Sequence, residues 1–133
     1  MKRYFFIALI VIPAIFLSAC SANKDSSLLL PSRADVISLS MSCDEKEEKI
    51  TDKEAIDKLL SDLSTVSMKS KESYNDAPNA DNYIKISFEV SDGQSGSVIY
   101  IFEESGKFFI EQPYNGVFSI EESQYSAISG MLP

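Results

Sequence analysis

The stretch from Ile84 to Gln112 reads IKISFEVSDGQSGSVIYIFEESGKFFIEQ, and its periodicity decides the fold. Ile84, Ile86, Phe88 and Val90 alternate with Lys85, Ser87 and Glu89, the two-residue period of a strand with one buried face. Ser91 to Ser97, with Gly93 and Gly96, supplies a turn, and Val98 to Phe102 follows as a run apolar on both faces. Gly106 then turns the chain into Phe108 to Gln112, so three strands joined by short turns predict an antiparallel meander. One face of the central run is expected to meet helices. On the other, Ile99 and Ile101 are expected to join Tyr83, Phe109, Tyr114 and Phe118, either in a second core layer under a covering segment or in an exposed aromatic patch. Monomers seldom expose more than roughly a few hundred Å² of contiguous apolar surface, which favours the covered arrangement.

Upstream, Ile37, Leu39, Met41 and Cys43 alternate with Ser38, Ser40 and Ser42, predicting a half-buried strand, and the charged run Asp44 to Lys49 reads as a solvated connection. Thr51 and Glu54 have capping-box spacing, with Thr51 accepting from a free backbone N–H. In the helix that follows, Ala55, Ile56, Leu59, Leu60 and Leu63 share one face. Thr65 to Ser73 has weaker strand character through Val66 and Met68, and Asn75-Asp76-Ala77-Pro78 breaks the chain. Downstream, Pro113-Tyr114-Asn115-Gly116 is a turn in which Asn-Gly suits left-handed backbone angles, and Val117 to Ser119 returns as a strand. Ser119 and Glu122 repeat the capping-box spacing before a last helix, with Tyr125, Ile128 and Met131 as its packing stripe. The expectation is an α+β fold: an antiparallel sheet of about five to six strands, with one helix after the first strand and a short C-terminal helix on one face.

The N-terminus has a different grammar. Lys2 and Arg3 precede an apolar run from Phe5 to Leu17, and small residues lead to Cys20. That is the layout of an export signal, and about thirteen apolar residues fall short of the roughly twenty that span a bilayer. Leu17-Ser18-Ala19-Cys20 resembles the bacterial lipobox, which implies cleavage before Cys20 and lipid on its thiol. The expected organisation is therefore residues 1–19 as a lipoprotein signal, 20–32 as lipid attachment and flexible tether, and 33–133 as a single domain outside the membrane. The Leu28 to Leu30 run offers an alternative, docking on the domain rather than belonging to the tether.

Composition excludes several functions. There is no histidine, so imidazole general-base catalysis and His-based zinc sites are absent. Without Lys2 and Arg3 the mature part would carry 10 basic and 20 acidic residues, 10 − 20 = −10, which repels nucleic acid and anionic headgroups alike. Gly93 and Gly96 lie between strands with no helix behind them to cradle phosphate. The acidic run after Cys43 lacks the alternating ligands and turn glycine of a calcium loop. No cofactor or metal is expected, and the domain is expected to be monomeric.

In Phe108-Phe109-Ile110-Glu111-Gln112-Pro113-Tyr114-Asn115-Gly116-Val117-Phe118 the chain is similar to a family of small lipoproteins from Gram-positive bacteria classed as a domain of unknown function. The stretch Glu111-Gln112-Pro113-Tyr114-x-Gly116 is the specific part. The resemblance implies a place in the cell envelope and no particular activity. Two readings of the motif stay open: a ligand site at Phe109, Glu111, Gln112, Tyr114 and Asn115, or a structural turn in which Tyr114 packs and Glu111 or Gln112 satisfies a backbone group. The leading functional expectation is a non-catalytic binding or accessory module, held to the membrane by lipid on Cys20, whose partner is an envelope protein or cell-wall ligand. The alternatives are an enzyme using Glu111 with Glu103 or Glu104, and a structural spacer of an envelope complex.

Overall fold

The computed structural model describes residues 27–92 and 95–133. The signal expected over residues 1–19, Cys20 and the first part of the expected tether, residues 21–26, lie outside them. In chain order the elements are β1 (Val36–Cys43), β2 (Lys46–Ile50), α1 (Lys53–Ser64), β3 (Lys69–Lys71), β4 (Ile84–Val90), β5 (Ser95–Glu104), β6 (Lys107–Gln112), β7 (Gly116–Ile120) and α2 (Glu122–Ser129). The seven strands form one antiparallel sheet in the order β2-β1-β4-β5-β6-β7-β3.

The α+β class and the meander β4-β5-β6 are as expected, but the strand count is higher. The run after Cys43 is a hairpin, with Asp44 at φ 52 turning the chain so that Lys46 pairs with Cys43 and Ile50 with Leu39. Its charges hid it, because an edge strand protects its open side with Lys and Glu and so loses apolar alternation. The first helix consequently follows the second strand. Lys69–Lys71 forms the other edge, also charged.

One face of the sheet carries the main core. Leu39, Met41, Ile86, Ile99, Ile101, Ile110 and Phe118 are fully buried there against Ile56, Leu59, Leu60 and Leu63 of α1 and Ile128 of α2. Burying a side chain of this size contributes about 1.5–3 kcal/mol, so this layer is the main source of stability. Both helices are capped one or two residues later than the spacing suggested. Asp52 accepts from Ala55 N–H at 2.9 Å, and Gln124 accepts from Glu121 N–H at 3.0 Å. Asp satisfies the free N–H groups as well as Thr does, so two adjacent candidates leave the start ambiguous by one residue.

Two bulges correct the strand readings. Val36 pairs with Val90 but Ser38 pairs with Glu89, so Ile37 is the extra residue and stands exposed while Val36 is buried. In β5 the register slips between Ser87↔Val98 and Glu89↔Ser95, which puts Gly96 inside the strand rather than in a turn. A Cβ on Gly96 would lie 2.2 Å from the Phe88 carbonyl oxygen, so only glycine fits the bulge.

The second face is divided. On β1 and β4 it is polar: Ser38 Oγ donates to Glu89 at 2.5 Å, and Lys49 pairs with Glu89 at 3.0 Å. These contacts hold the Glu89 carboxyl below its ordinary range, the Ser38 hydrogen bond first and then Lys49. On β5 to β7 the face is apolar, with Tyr100, Phe102 and Val117 buried beneath the segment from Glu72 to Asn82, which itself buries Ser73 and Pro78. Tyr83 meets Tyr100 edge-on at 5.2 Å, and Phe102 meets Phe109 at 5.6 Å. The second layer exists, but its membership is corrected: Ile99, Ile101 and Phe118 pair in register with Ile86, Ile84 and Ile110 on the helix side, and Tyr114 is exposed.

Candidate functional site

The motif residues meet where β6 turns into β7. Asn115 N–H donates to Gln112 O at 3.1 Å, closing a tight turn with Pro113 second and Tyr114, at φ 58, third. This is the pattern of a type II turn, in which proline presets the second residue and the third takes positive φ. Asn-Gly was expected to take the left-handed angles, yet the tyrosine does. An aromatic side chain at positive φ costs roughly 1–2 kcal/mol, and such outliers concentrate at functional positions.

Gln112 is buried on the helix side, and its amide grips an incoming backbone at both ends. Leu29 N–H donates to Gln112 Oε1 at 2.8 Å, and Gln112 Nε2 donates to Leu29 O at 2.9 Å. Ser97 Oγ donates to the same carbonyl at 2.6 Å, and Asn115 Nδ2 donates both to Ser27 O at 3.0 Å and to Gln112 Oε1 at 2.7 Å. Leu28, between them, is 8% exposed within the main core. Residues 27–32 are thus a docked strap, the alternative that the Leu28 to Leu30 run offered, and not part of a flexible tether. The physical reason is Leu28, an apolar side chain whose burial needs its neighbours' backbone groups to find partners, which Gln112 and Asn115 supply.

Glu111 points to the other face and is 5% exposed. Ser73 Oγ donates to its carboxylate at 2.6 Å, pinning the covering segment to the sheet. Phe109 is half-buried against Phe102. Tyr114 differs from all of these. It is 69% exposed, and its hydroxyl donates to Asp76 Oδ1 at 2.5 Å. That bond favours the protonated phenol and raises its pKa above the ordinary 10.0, with the Asp76 charge adding to it. Tyr74, close by in the same segment, is 77% exposed. Tyr100 is also raised, first by burial and then by Tyr83, Asp76 and Glu111 around it.

The five nominated residues therefore separate. Glu111, Gln112 and Asn115 fasten two segments to the sheet, Phe109 packs, and Tyr114 is presented outward. Sequence reasoning missed Ser73, which binds Glu111 from the covering segment, Asp76, which receives the Tyr114 hydroxyl there, and Ser97, which holds Leu29 from β5. The Asn75-Asp76-Ala77-Pro78 break marked the segment, but nothing local shows that it folds back over β5 to β7.

The carboxylates nominated together are not brought together. Glu103 and Glu104 are exposed at the β5–β6 hairpin, opposite Phe108 and Lys107. Glu111 lies three to four residues further along β6, about 10–13 Å away at the strand rise. Among the described residues no three acidic or cysteine side chains are grouped to hold a metal ion, and no helix is long and apolar enough to cross a membrane. An open groove of about 430 Å³ lies at the hairpin end, lined by Asn79, Asp81, Asn82, Glu103, Glu104 and Tyr125. It contains none of the motif residues.

The family DUF5301, described as a domain of unknown function (DUF5300), matches residues 23–119, a span that takes in the strap, α1 and the seven strands except the last residue of β7. An NMR structure of a protein from Ruminococcus gnavus is similar at 31% identity and a TM-score of 0.62, over 74% of this chain and 98% of that one. No curated protein matches.

Proposed function

The chain belongs to this family of domains of unknown function, and on that premise we propose that it is a non-catalytic binding or accessory module of the cell envelope, tethered by lipid on Cys20. Its contact surface is the end of the domain that presents Tyr114. The observation carrying this reading is the division of labour within the motif. The buried bond that Glu111 accepts and the half-buried bonds of Gln112 and Asn115 build a rigid frame, and the frame holds one aromatic outward in an unfavourable backbone conformation. A rigid tyrosine offers large contact at little entropic cost, which is the economy of recognition surfaces. The export layout before Cys20 and the acidic domain behind it support an extracytoplasmic location.

Two measurements test this reading. Cells grown with labelled palmitate are expected to label the protein, and Cys20→Ala is expected to abolish labelling and release the protein from membranes. A photo-reactive amino acid at position 114 is expected to cross-link to an envelope component, while one at position 104 is not. An unlabelled product in the cytosol, or equal cross-linking at both positions, would refute it.

A further inference from the structure

We propose that the end of the domain formed by Leu29, Tyr114 and Tyr74 rests in the interfacial layer of the bilayer. This deepens the reading above, naming the occupant of the same surface, and rests on Cys20 being lipidated. The geometry starts from the strap. Asn115 Nδ2 holds Ser27 O at 3.0 Å, and Leu29 is fixed by Gln112 and Ser97. From Cys20 to Ser27 there are seven peptide steps. Whatever path they take, they cannot exceed about 25 Å at full extension. A free tether would let every face reach the bilayer. The clamp instead starts that span at Ser27, beside the Pro113–Asn115 turn, which puts this end within reach of the lipid.

The side chains at that end suit a headgroup layer. Leu29 is 64% exposed because Leu28 beside it points into the core, and Tyr114 and Tyr74 are exposed to a similar degree. Tyrosine is enriched at membrane interfaces, where the ring meets acyl chains and the hydroxyl stays hydrated. The Asp76 carboxylate at this surface already receives the Tyr114 hydroxyl, and Glu72 is paired with Lys69 at 2.9 Å. The opposite end carries Asp44, Glu45, Glu103, Glu104, Glu121 and Glu122, all exposed, against the exposed Lys46 and Lys107, so its net charge is negative and an anionic bilayer repels it. Anchor position and charge therefore orient the domain the same way. Asp35 and Asp92 share the groove beside Leu29, so insertion is shallow and contact weakens on anionic bilayers.

The chain has no tryptophan, so single reporters can be placed without background. Full-length lipidated Leu29→Trp, Tyr114→Trp and Glu104→Trp proteins would be incorporated in phosphatidylcholine vesicles carrying brominated acyl chains, and flotation would establish anchoring first. Emission from positions 29 and 114 is expected to fall by about half, and from position 104 by less than about a tenth, for contact about 5–10 Å deep. Replacing part of the phosphatidylcholine by phosphatidylglycerol is expected to reduce the quenching. Protein that does not float overturns the anchoring itself. Protein that floats with equal quenching at all three positions, or none at 29 and 114, overturns the membrane-facing end and leaves that surface to a protein partner. The Leu29 reporter replaces a side chain already outside the core, so it decides the matter even if the Tyr114 variant misfolds.

Discussion

Removing the amide of Gln112 tests the strap most directly. Gln112→Ala deletes the acceptor for Leu29 N–H, one of two donors to Leu29 O, and an acceptor for Asn115. Leu29 O keeps Ser97, and Asn115 keeps Ser27 O, so the uncompensated loss is chiefly the Leu29 N–H. At about 1 kcal/mol for each net hydrogen bond, and more for a buried donor left unpaired, the strap should lose about 2 kcal/mol of docking free energy. That corresponds to roughly thirtyfold in the opening equilibrium. Because the sheet and both helices do not need the strap to pair, the effect should appear as local opening. Hydrogen exchange should show Leu29 N–H losing about thirtyfold in protection while the β5 and β6 amides lose much less. Protection at Leu29 unchanged within about threefold would mean that Leu28 alone holds the strap, and the role given to Gln112 would be wrong.

Gly96→Ala should be among the most damaging single-methyl changes. Its Cβ would sit 2.2 Å from Phe88 O and 2.8 Å from Phe88 C, backbone atoms that cannot rotate away. A loss of about 3 kcal/mol, and a thermal midpoint lower by more than about 10 °C, is expected by calorimetry. The two shifted surface groups predict opposite pH limbs. Glu89 is lowered by Ser38 and then Lys49, so its contribution is present above the ordinary 4.5 and lost as pH falls through the lower folded value. Carboxyl NMR should place its midpoint below 4.5, moving back toward it in Ser38→Ala. Tyr114 is raised by Asp76, so its contribution is present below 10.0 and lost as pH rises through the higher folded value. Tyrosinate absorbance should show two late-titrating groups, Tyr100 and Tyr114, and Asp76→Asn should move Tyr114 earlier by more than Tyr100, because Asp76 is the first cause at Tyr114 and a lesser one at Tyr100.

The sheet was legible wherever one face is buried and the other wet. Leu39, Met41, Ile84, Ile86 and Phe88 declared their strands because alternation follows from half-burial. It was illegible where other demands overrode that pattern. At β2 the edge needs charge, at Ile37 a bulge reverses the parity, and in β5 both faces are apolar, so the pattern cannot say which residues face the helices. Only the β4 register settles that Ile99 and Ile101 join Ile86 and Ile84, leaving Tyr100 and Phe102 for the second layer. The site was legible as a motif and not as a mechanism. Pro113 and Gly116 marked the turn, but Gln112 holding Leu29 spans 83 positions and Glu111 holding Ser73 spans 38. Such distances leave no local trace.

The backbone of Tyr114 provides the sharpest separation between frame and contact. At φ 58 any residue with a Cβ carries the left-handed penalty, so Tyr114→Ala keeps the strain and loses the hydroxyl bond to Asp76. Tyr114→Gly loses the same bond but relieves the strain. Glycine ordinarily costs roughly 0.5–1 kcal/mol relative to alanine through its larger unfolded-state freedom, whereas left-handed relief contributes roughly 1–2 kcal/mol. Glycine should therefore match or exceed alanine at this position, by up to about 1.5 kcal/mol in urea unfolding, the reverse of the usual order. Both variants should lose the aromatic contact surface at this position and retain the strap, since Gln112 and Asn115 make their bonds through their own side chains. If glycine proves clearly less stable than alanine, the tyrosine is not held in a costly conformation. The case that its exposure serves contact rather than folding would then lose its physical basis.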